Sequence, residues 1–424
     1  MNTLWIKEAS MLYLPVVLGG LLWLLYRPCV KVTGALTLSR LWNIVTLYLI
    51  NILAIKAGWW EFGPSEIQLG SVPLLPLFGW AIIWGICFPL IPTQHGTALV
   101  LLAVVADLLF MPLLAPLVIL KSTWLVGELV AITFAFIPGL LMYRWTVLKR
   151  TIWGRVVGQS VIFGFLIIYL LPVLIFELAE GKPLTIPTKS WILATFQIQL
   201  MLGFAGLGVL AVIEFVKRGH GTPVPFDPPK RLVTSGPYAY LINPMQFSIA
   251  GFLLCYGWFL ESWIIAASSP MVILYGIGFA NPSESADLTT RFLGDWNNYR
   301  LRFISFLPRF IPFEGDEPAT IYFAESCSTC SSIREWFEAR KPIGLKFVPA
   351  EKYPGGLPER VTYKIGRESY SGVKAIARGL THINLIWAIT GWLLQIPGIN
   401  QLIQVMVDLE GIRPLAEKRR LEEV

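Results

Sequence analysis

Apolar residues in this chain gather in long unbroken blocks, and those blocks dictate its architecture. Stretches at 11–26, 39–56, 72–92, 97–119, 123–143, 156–178 and 191–216 consist mostly of Leu, Ile, Val, Phe, Ala and Trp. Each is roughly 17–25 residues long, enough for a helix to cross the hydrocarbon of a bilayer. A tighter pair follows at 246–263 and 267–281; its second arm is short and reads as part of a helical hairpin that does not fully cross. The pattern predicts a mainly α, polytopic membrane bundle of about 8–9 spans.

The period changes near residue 318. Ala319–Ala324 is a strand-like apolar run, Ser331–Arg340 has helical spacing, and Val361–Gly366 with Glu368–Gly372 reads as a hairpin leading into a helix at Val373–Leu380. This predicts a C-terminal α/β domain. The apolar stretch 383–407 is interrupted by Gln, Asn and Pro397. It predicts amphipathic helices packed on that domain or lying on the bilayer surface, in place of another span. Three regions result: membrane helices over 1–190, a loop-and-hairpin core over 191–312, and the α/β domain over 318–424.

Composition agrees. Only 14% of the 424 residues are charged, against about 25% in soluble domains. The net charge of +7 is informative by position. Arg27, Lys31 and Arg40, then Arg144, Lys149, Arg150 and Arg155, then Lys217, Arg218, Lys230 and Arg231 fall in alternate loops. The loops between them carry Glu61 and Glu66, or a mix of Glu180, Lys182 and Lys189. Basic loops stay cytoplasmic, so the N-terminus is expected outside, with the 218–247 loop and the C-terminal domain in the cytosol. Lipid headgroups account for the basic excess, and no nucleic-acid partner is expected. Lys7 and Glu8 precede the first span and no small-residue cleavage site follows it, so no cleavable signal peptide is expected.

Asp107, Glu128 and Glu214 lie inside apolar blocks. Such residues contact substrates or protons, or make helix-packing hydrogen bonds.

The loop Arg218–Phe247, RGHGTPVPFDPPKRLVTSGPYAYLINPMQF, carries the densest chemistry. Gly219, Gly221 and Gly236 permit tight turns, and its prolines hold a path that cannot become helix. Tyr238 and Tyr240 face one side if the chain is extended there. Asn243 and Pro244 read as the cap and first residue of the next helix. Beyond the hairpin, Glu284, Leu288, Phe292, Trp296 and Tyr299 recur at intervals of three or four and line one helical face.

These two blocks, in this order around a hairpin, resemble the isoprenylcysteine carboxyl methyltransferase superfamily over roughly 191–312. Its members are integral-membrane enzymes that use S-adenosylmethionine (SAM). The resemblance implies a SAM site formed by His220, Tyr238, Tyr240, Asn243, Pro244 and Glu284, and a hydrophobic or lipid-linked substrate reached from the bilayer. Glu284 matches the first of the family's paired glutamates; Leu288, Phe292, Trp296 and Tyr299 match the rest of that helix. The chain departs from the pattern at Ile242, where the family carries Arg, at Gln246 for Tyr, at Ser285 for the second Glu, and at Leu293 for the Gly that follows Phe.

Cys327 and Cys330 form a C-x-x-C between the strand-like run and the following helix. At that junction the helix N-terminus stabilises a thiolate on the first cysteine and the second resolves a mixed disulfide. Cys327 is therefore the candidate nucleophile and Cys330 the resolving thiol, acting on a thiol partner protein. The domain resembles the DCC-type thiol–disulfide oxidoreductases, which have a thioredoxin-like fold. Their Gly-x-x-Tyr-x-Gly-x-x-Ala segment is met here, one residue longer, by Gly366, Tyr370, Gly372 and Ala375. Zinc needs about four ligands, and this domain has one histidine, His382, and no second Cys pair; no metal site is expected. Three functions stay open: SAM-dependent methylation with a fused redox domain, a membrane-anchored oxidoreductase whose core no longer uses SAM, and a non-enzymatic membrane scaffold.

Overall fold

Proline follows three of the places where the apolar helices widen. The computed structural model describes residues 3–409 except 66, 94, 225, 278–280, 305, 316–317, 326–327, 355, 357 and 397, and the side chains of residues 3–4, 281–284 and 328 are also left aside. The chain divides into two compact units, Met1–Gly181 with Gly221–Pro228, and Lys182–His220 with Pro229–Val424.

The first unit contains α1 (Thr3–Tyr26), α2 (Val30–Ala57), β1 (Trp60–Phe62), β2 (Gln68–Leu69), β3 (Val72–Pro73), α3 (Leu74–Leu90), α4 (Gly96–Leu114), β4 (Val118–Leu120), α5 (Trp124–Leu148) and α6 (Ile152–Ala179). Widened π turns at Ile83–Cys87, Ile132–Phe136 and Leu166–Leu170 each end two residues before a proline, Pro89, Pro138 or Pro172. Proline has no N–H for the helical ladder and crowds the carbonyl one turn back, and a wider turn accommodates both effects. Small residues bring the helices together. A Cβ on Gly79 of α3 would lie 1.8 Å from the Met11 carbonyl oxygen of α1, and one on Gly85 would lie 2.5 Å from the Arg40 backbone of α2. The expected span 97–119 stops at Leu114, and 118–120 becomes a strand paired antiparallel with β1, because Pro112 and Pro116 end the helix.

The second unit begins with α7 (Trp191–Gly219), α8 (Pro244–Leu260), α9 (Trp263–Tyr275) and α10 (Asn281–Leu301). Six helices among the described residues (α1, α2, α4, α5, α6 and α7) are long and apolar enough to cross a membrane, the complement of a membrane-embedded protein. The other three expected spans are realised as the shorter α3, α8 and α9. At 1.5 Å per residue these reach about 25 Å or less, below the ~30 Å of a bilayer core. Large apolar side chains on the long helices, such as Leu21, Leu24, Leu101 and Leu202, are exposed, as lipid-facing positions require.

The expected aromatic stripe on α10 is interrupted. Leu293 takes φ 40° and ψ −115°, which breaks the helical register between Phe292 and Trp296. Trp296 and Tyr299 are buried, whereas Leu293 is exposed. Glu284 lies among the residues whose side chains are not described.

The α/β domain follows the sequence closely: β5 (Ala319–Phe323), α11 (Ser328–Glu338), β6 (Leu345–Pro349), β7 (Thr362–Ile365), β8 (Glu368–Ser371), α12 (Val373–Leu380), α13 (Leu385–Leu394) and α14 (Ile399–Leu409). Its four-stranded sheet runs β6–β5–β7–β8. The β5–β6 pair is parallel, with Ile321 opposite Phe347. β5–β7 and β7–β8 are antiparallel, with Tyr363 opposite both Ile321 and Tyr370. Phe323, Phe337 and Phe347 fill the core beside β5. The stretch after 383 forms two helices in this domain, α13 packing against α12.

Candidate functional site

Three places hold the chemistry expected from the sequence. The C-x-x-C segment leaves β5, which is hydrogen-bonded on both edges, and enters α11. Cys330 lies in the first turn of α11, is 6% exposed and joins the apolar core of the sheet. Cys327 lies outside the described residues. Near the same sheet His382 is held from both sides, by the Tyr363 hydroxyl at 2.9 Å from Nε2 and by the Ile343 carbonyl at 2.7 Å from Nδ1. Burial, with Arg378 adding to it, pushes this imidazole down to about 4, so the ring is neutral at neutral pH.

The 218–247 loop is shared between the units. Gly221–Pro228 belongs to the first. There Asp227 accepts a hydrogen bond from Arg155 of α6, and Val224 and Phe226 pack with Leu38, Met142 and Ile162. In the second unit Tyr299 of α10 donates to the carbonyls of Tyr238 (2.7 Å) and Leu241 (3.3 Å). The amides of Arg309 and Phe313 donate to the carbonyls of Tyr240 and Ala239.

Tyr238 and Tyr240 do not share a face. Gly236–Ala239 winds into a 3-10 turn with Pro237 in its first positions, so the period-2 expectation fails: a three-residue turn sends neighbours two apart in different directions. Tyr238 packs with Ala211, Val233, Phe215 and Met245. Tyr240 is fully buried against Trp392 and donates its hydroxyl to the Thr381 carbonyl at 2.9 Å. Both rings hold the loop to its neighbours. His220, in the left-handed region at φ 55°, is exposed at the end of α7. Asn243 and Pro244 start α8 as expected, but the Asn243 side chain makes no capping hydrogen bond. The apolar clusters around Tyr238, Tyr240 and Cys330 share no member among the described residues.

Glu214 is an anchor. Its carboxylate accepts from Ser235 Oγ at 2.6 Å and from Arg378 Nη1 at 2.9 Å, and Arg218 lies 3.8 Å away. Burial alone would lower the Arg378 guanidinium; Glu214, with Tyr370 and Tyr363, outweighs it and holds Arg378 above its ordinary value. Arg378 and Glu368, which join this network, carried no functional reading in the sequence, and Tyr370 entered only through the DCC-type segment. For Arg378 the only local signal was charge on an otherwise apolar helix, α12.

In the first unit Asp107 of α4 and Glu128 of α5 adjoin, with the Trp84 indole beside Asp107. Glu128 also lines a cavity of about 20 Å³ with Asn51, Trp60, Trp80 and Trp84, room for about one water. Each was a candidate from sequence; their juxtaposition across two helices was not legible there.

Comparison with protein-family models, with curated proteins and with solved structures returns no match for this chain.

Proposed function

We propose that this membrane protein carries a thiol–disulfide oxidoreductase domain, with Cys327 as nucleophile and Cys330 as resolving thiol. The observation that supports this reading is the β6–β5–β7–β8 sheet, with the C-x-x-C falling in sequence between its inner strand β5 and the helix α11, where a thioredoxin-like domain carries its redox pair. The Cys327 thiolate attacks one sulfur of a partner disulfide, and the other partner sulfur leaves as a thiolate and takes a proton. Cys330, deprotonated, then attacks the Cys327 sulfur and releases the second partner thiolate. Two electrons pass to the partner and Cys327–Cys330 becomes a disulfide; the reverse sequence oxidises a dithiol. The distribution of basic loops supports a cytosolic position for the domain, where the pair rests reduced. With the exposed Cys29 replaced by Ser and the chain incubated with oxidised glutathione, the Cys330→Ser variant holds one glutathione as a mixed disulfide by intact mass spectrometry, and the Cys327→Ser variant holds none. Equal adducts on both variants, or on neither, would sink this reading.

A second reading, SAM-dependent methylation of a hydrophobic or lipid-linked substrate by residues 191–312, has its own support. Leu293, where the resembling family carries Gly, has a positive φ of 40°, a conformation suited to glycine. The residues fit such a cofactor in part. His220 and Asn243 would contact SAM, with Tyr238 and Tyr240 shaping the loop behind them and Pro244 fixing the start of α8. SAM would supply an electrophilic methyl group. Calorimetry on nanodisc-held protein checks this: micromolar SAM binding abolished by Glu284→Ala is the expected result, and no heat at millimolar SAM removes the reading.

A further inference from the structure

Among the described residues, the last turn of α7 and the helix α12 carry more positive charge than the acids beside them. Within the second unit Arg378 and Arg218 engage the two nearby carboxylates. Glu214 pairs with Arg378 at 2.9 Å, and Glu368 lies 3.3 Å from Arg218 Nη2 while accepting from the Tyr370 hydroxyl. Two lysines remain. Lys217 Nζ and Lys374 Nζ each lie 5.4 Å from the centre of the Tyr370 ring, and neither forms an ion pair within 4 Å among the described residues. Among the described residues four cations therefore face two carboxylates near one aromatic ring, which also carries Arg378 at 4.8 Å.

A ring face attracts a cation but does not neutralise it, so like charges gathered this closely repel unless an anion joins them. Partial burial first, then Lys217 and Arg378, hold the Lys374 ammonium below its ordinary value, a cost that an anion would relieve. The Arg378 Nε is also buried without a hydrogen-bond acceptor. Position narrows the anion's chemistry. Lys217 lies in the last turn of a membrane-length helix, at the depth where basic side chains meet lipid phosphates. Ammonium groups hold phosphate as point charges.

We propose that Lys217 and Lys374, backed by Arg218 and Arg378 around Tyr370, form a binding site for a phosphate-bearing anion at the membrane end of α7. The ligand is a phospholipid headgroup or a soluble phosphate, and the site stands independently of the redox and SAM readings. Both lysines are peripheral to the buried ion pair, so Lys217→Gln/Lys374→Gln leaves the fold standing.

Native mass spectrometry of the full chain released from phosphatidylcholine nanodiscs containing phosphatidylglycerol provides one arm. Selective retention of phosphatidylglycerol, reduced about 30-fold in the double variant, supports the site and assigns it to lipid. Calorimetry with inorganic phosphate in pure phosphatidylcholine nanodiscs provides the other. Millimolar binding lost in the double variant, without lipid selectivity, supports the site and assigns it to soluble phosphate. Retention and binding that are absent, or unchanged in the double variant, would overturn the proposal.

Discussion

Replacing Arg378 by Ala lowers the thermal unfolding midpoint of the detergent-purified chain by about 10 °C. Arg378 and Glu214 are both buried, with side chains 10% and 2% exposed. Removing the guanidinium leaves the buried Glu214 carboxylate with the Ser235 hydroxyl at 2.6 Å and Arg218 only at 3.8 Å. Breaking one side of a buried pair costs about 3–5 kcal/mol, and in a unit of this size each kcal/mol moves the midpoint by about 2–4 °C. The comparison that isolates charge is Glu214→Gln/Arg378→Met, which removes both ions and keeps volume. Its midpoint returns most of the way, because exchange of a whole buried pair is often near neutral. A single variant that unfolds within 2–3 °C of the parent would show that the pair contributes as little as a surface bridge.

Asp227→Ala has a comparable effect in the first unit. Arg155 is 4% exposed at the side chain and Asp227 10%. The remaining interactions of this loop segment are weaker: Arg155 Nε donates to the Arg150 carbonyl at 3.1 Å, and Gln159 reaches Thr222 Oγ1 at 3.4 Å. Losing Asp227 strands the Arg155 charge, at a cost of about 3–5 kcal/mol. The loop is the segment released first, so the readout is local: tryptic cleavage between 217 and 231 speeds up by about two orders of magnitude when opening precedes cleavage. Arg155→Gln/Asp227→Asn restores protection. Unchanged cleavage in Asp227→Ala would mean that Val224 and Phe226, packed with Leu38, Met142 and Ile162, hold the loop unaided.

Both predictions rest on pairs that no window of sequence displays. Arg378 and Glu214 are 164 residues apart: Glu214 stands out in the sequence as an acid inside an apolar block, but nothing there names Arg378, a cation on a short helix, as its partner. The same holds for Asp107 and Glu128, which meet because two helices pack side by side. Tyr238 and Tyr240 show a subtler limit. Their spacing fits a strand, but Pro237 favours a tight turn and Tyr299 fixes it through two carbonyls from another helix. On α10 the helical spacing of the stripe is real in the sequence, yet the backbone at Leu293 departs from it.

The sequence by itself determined what depends on local and solvent physics. Apolar length against bilayer thickness gave the membrane helices, and alternation with turn glycines gave the β7–β8 hairpin and α12. The tertiary structure decided where charge is neutralised, which loop aromatics pack against which helix, and how the 218–247 loop is divided between two compact units. Those outcomes depend on desolvation and on contacts between distant residues. A buried charge is stable only beside its partner, and a partner's identity is a property of the folded chain.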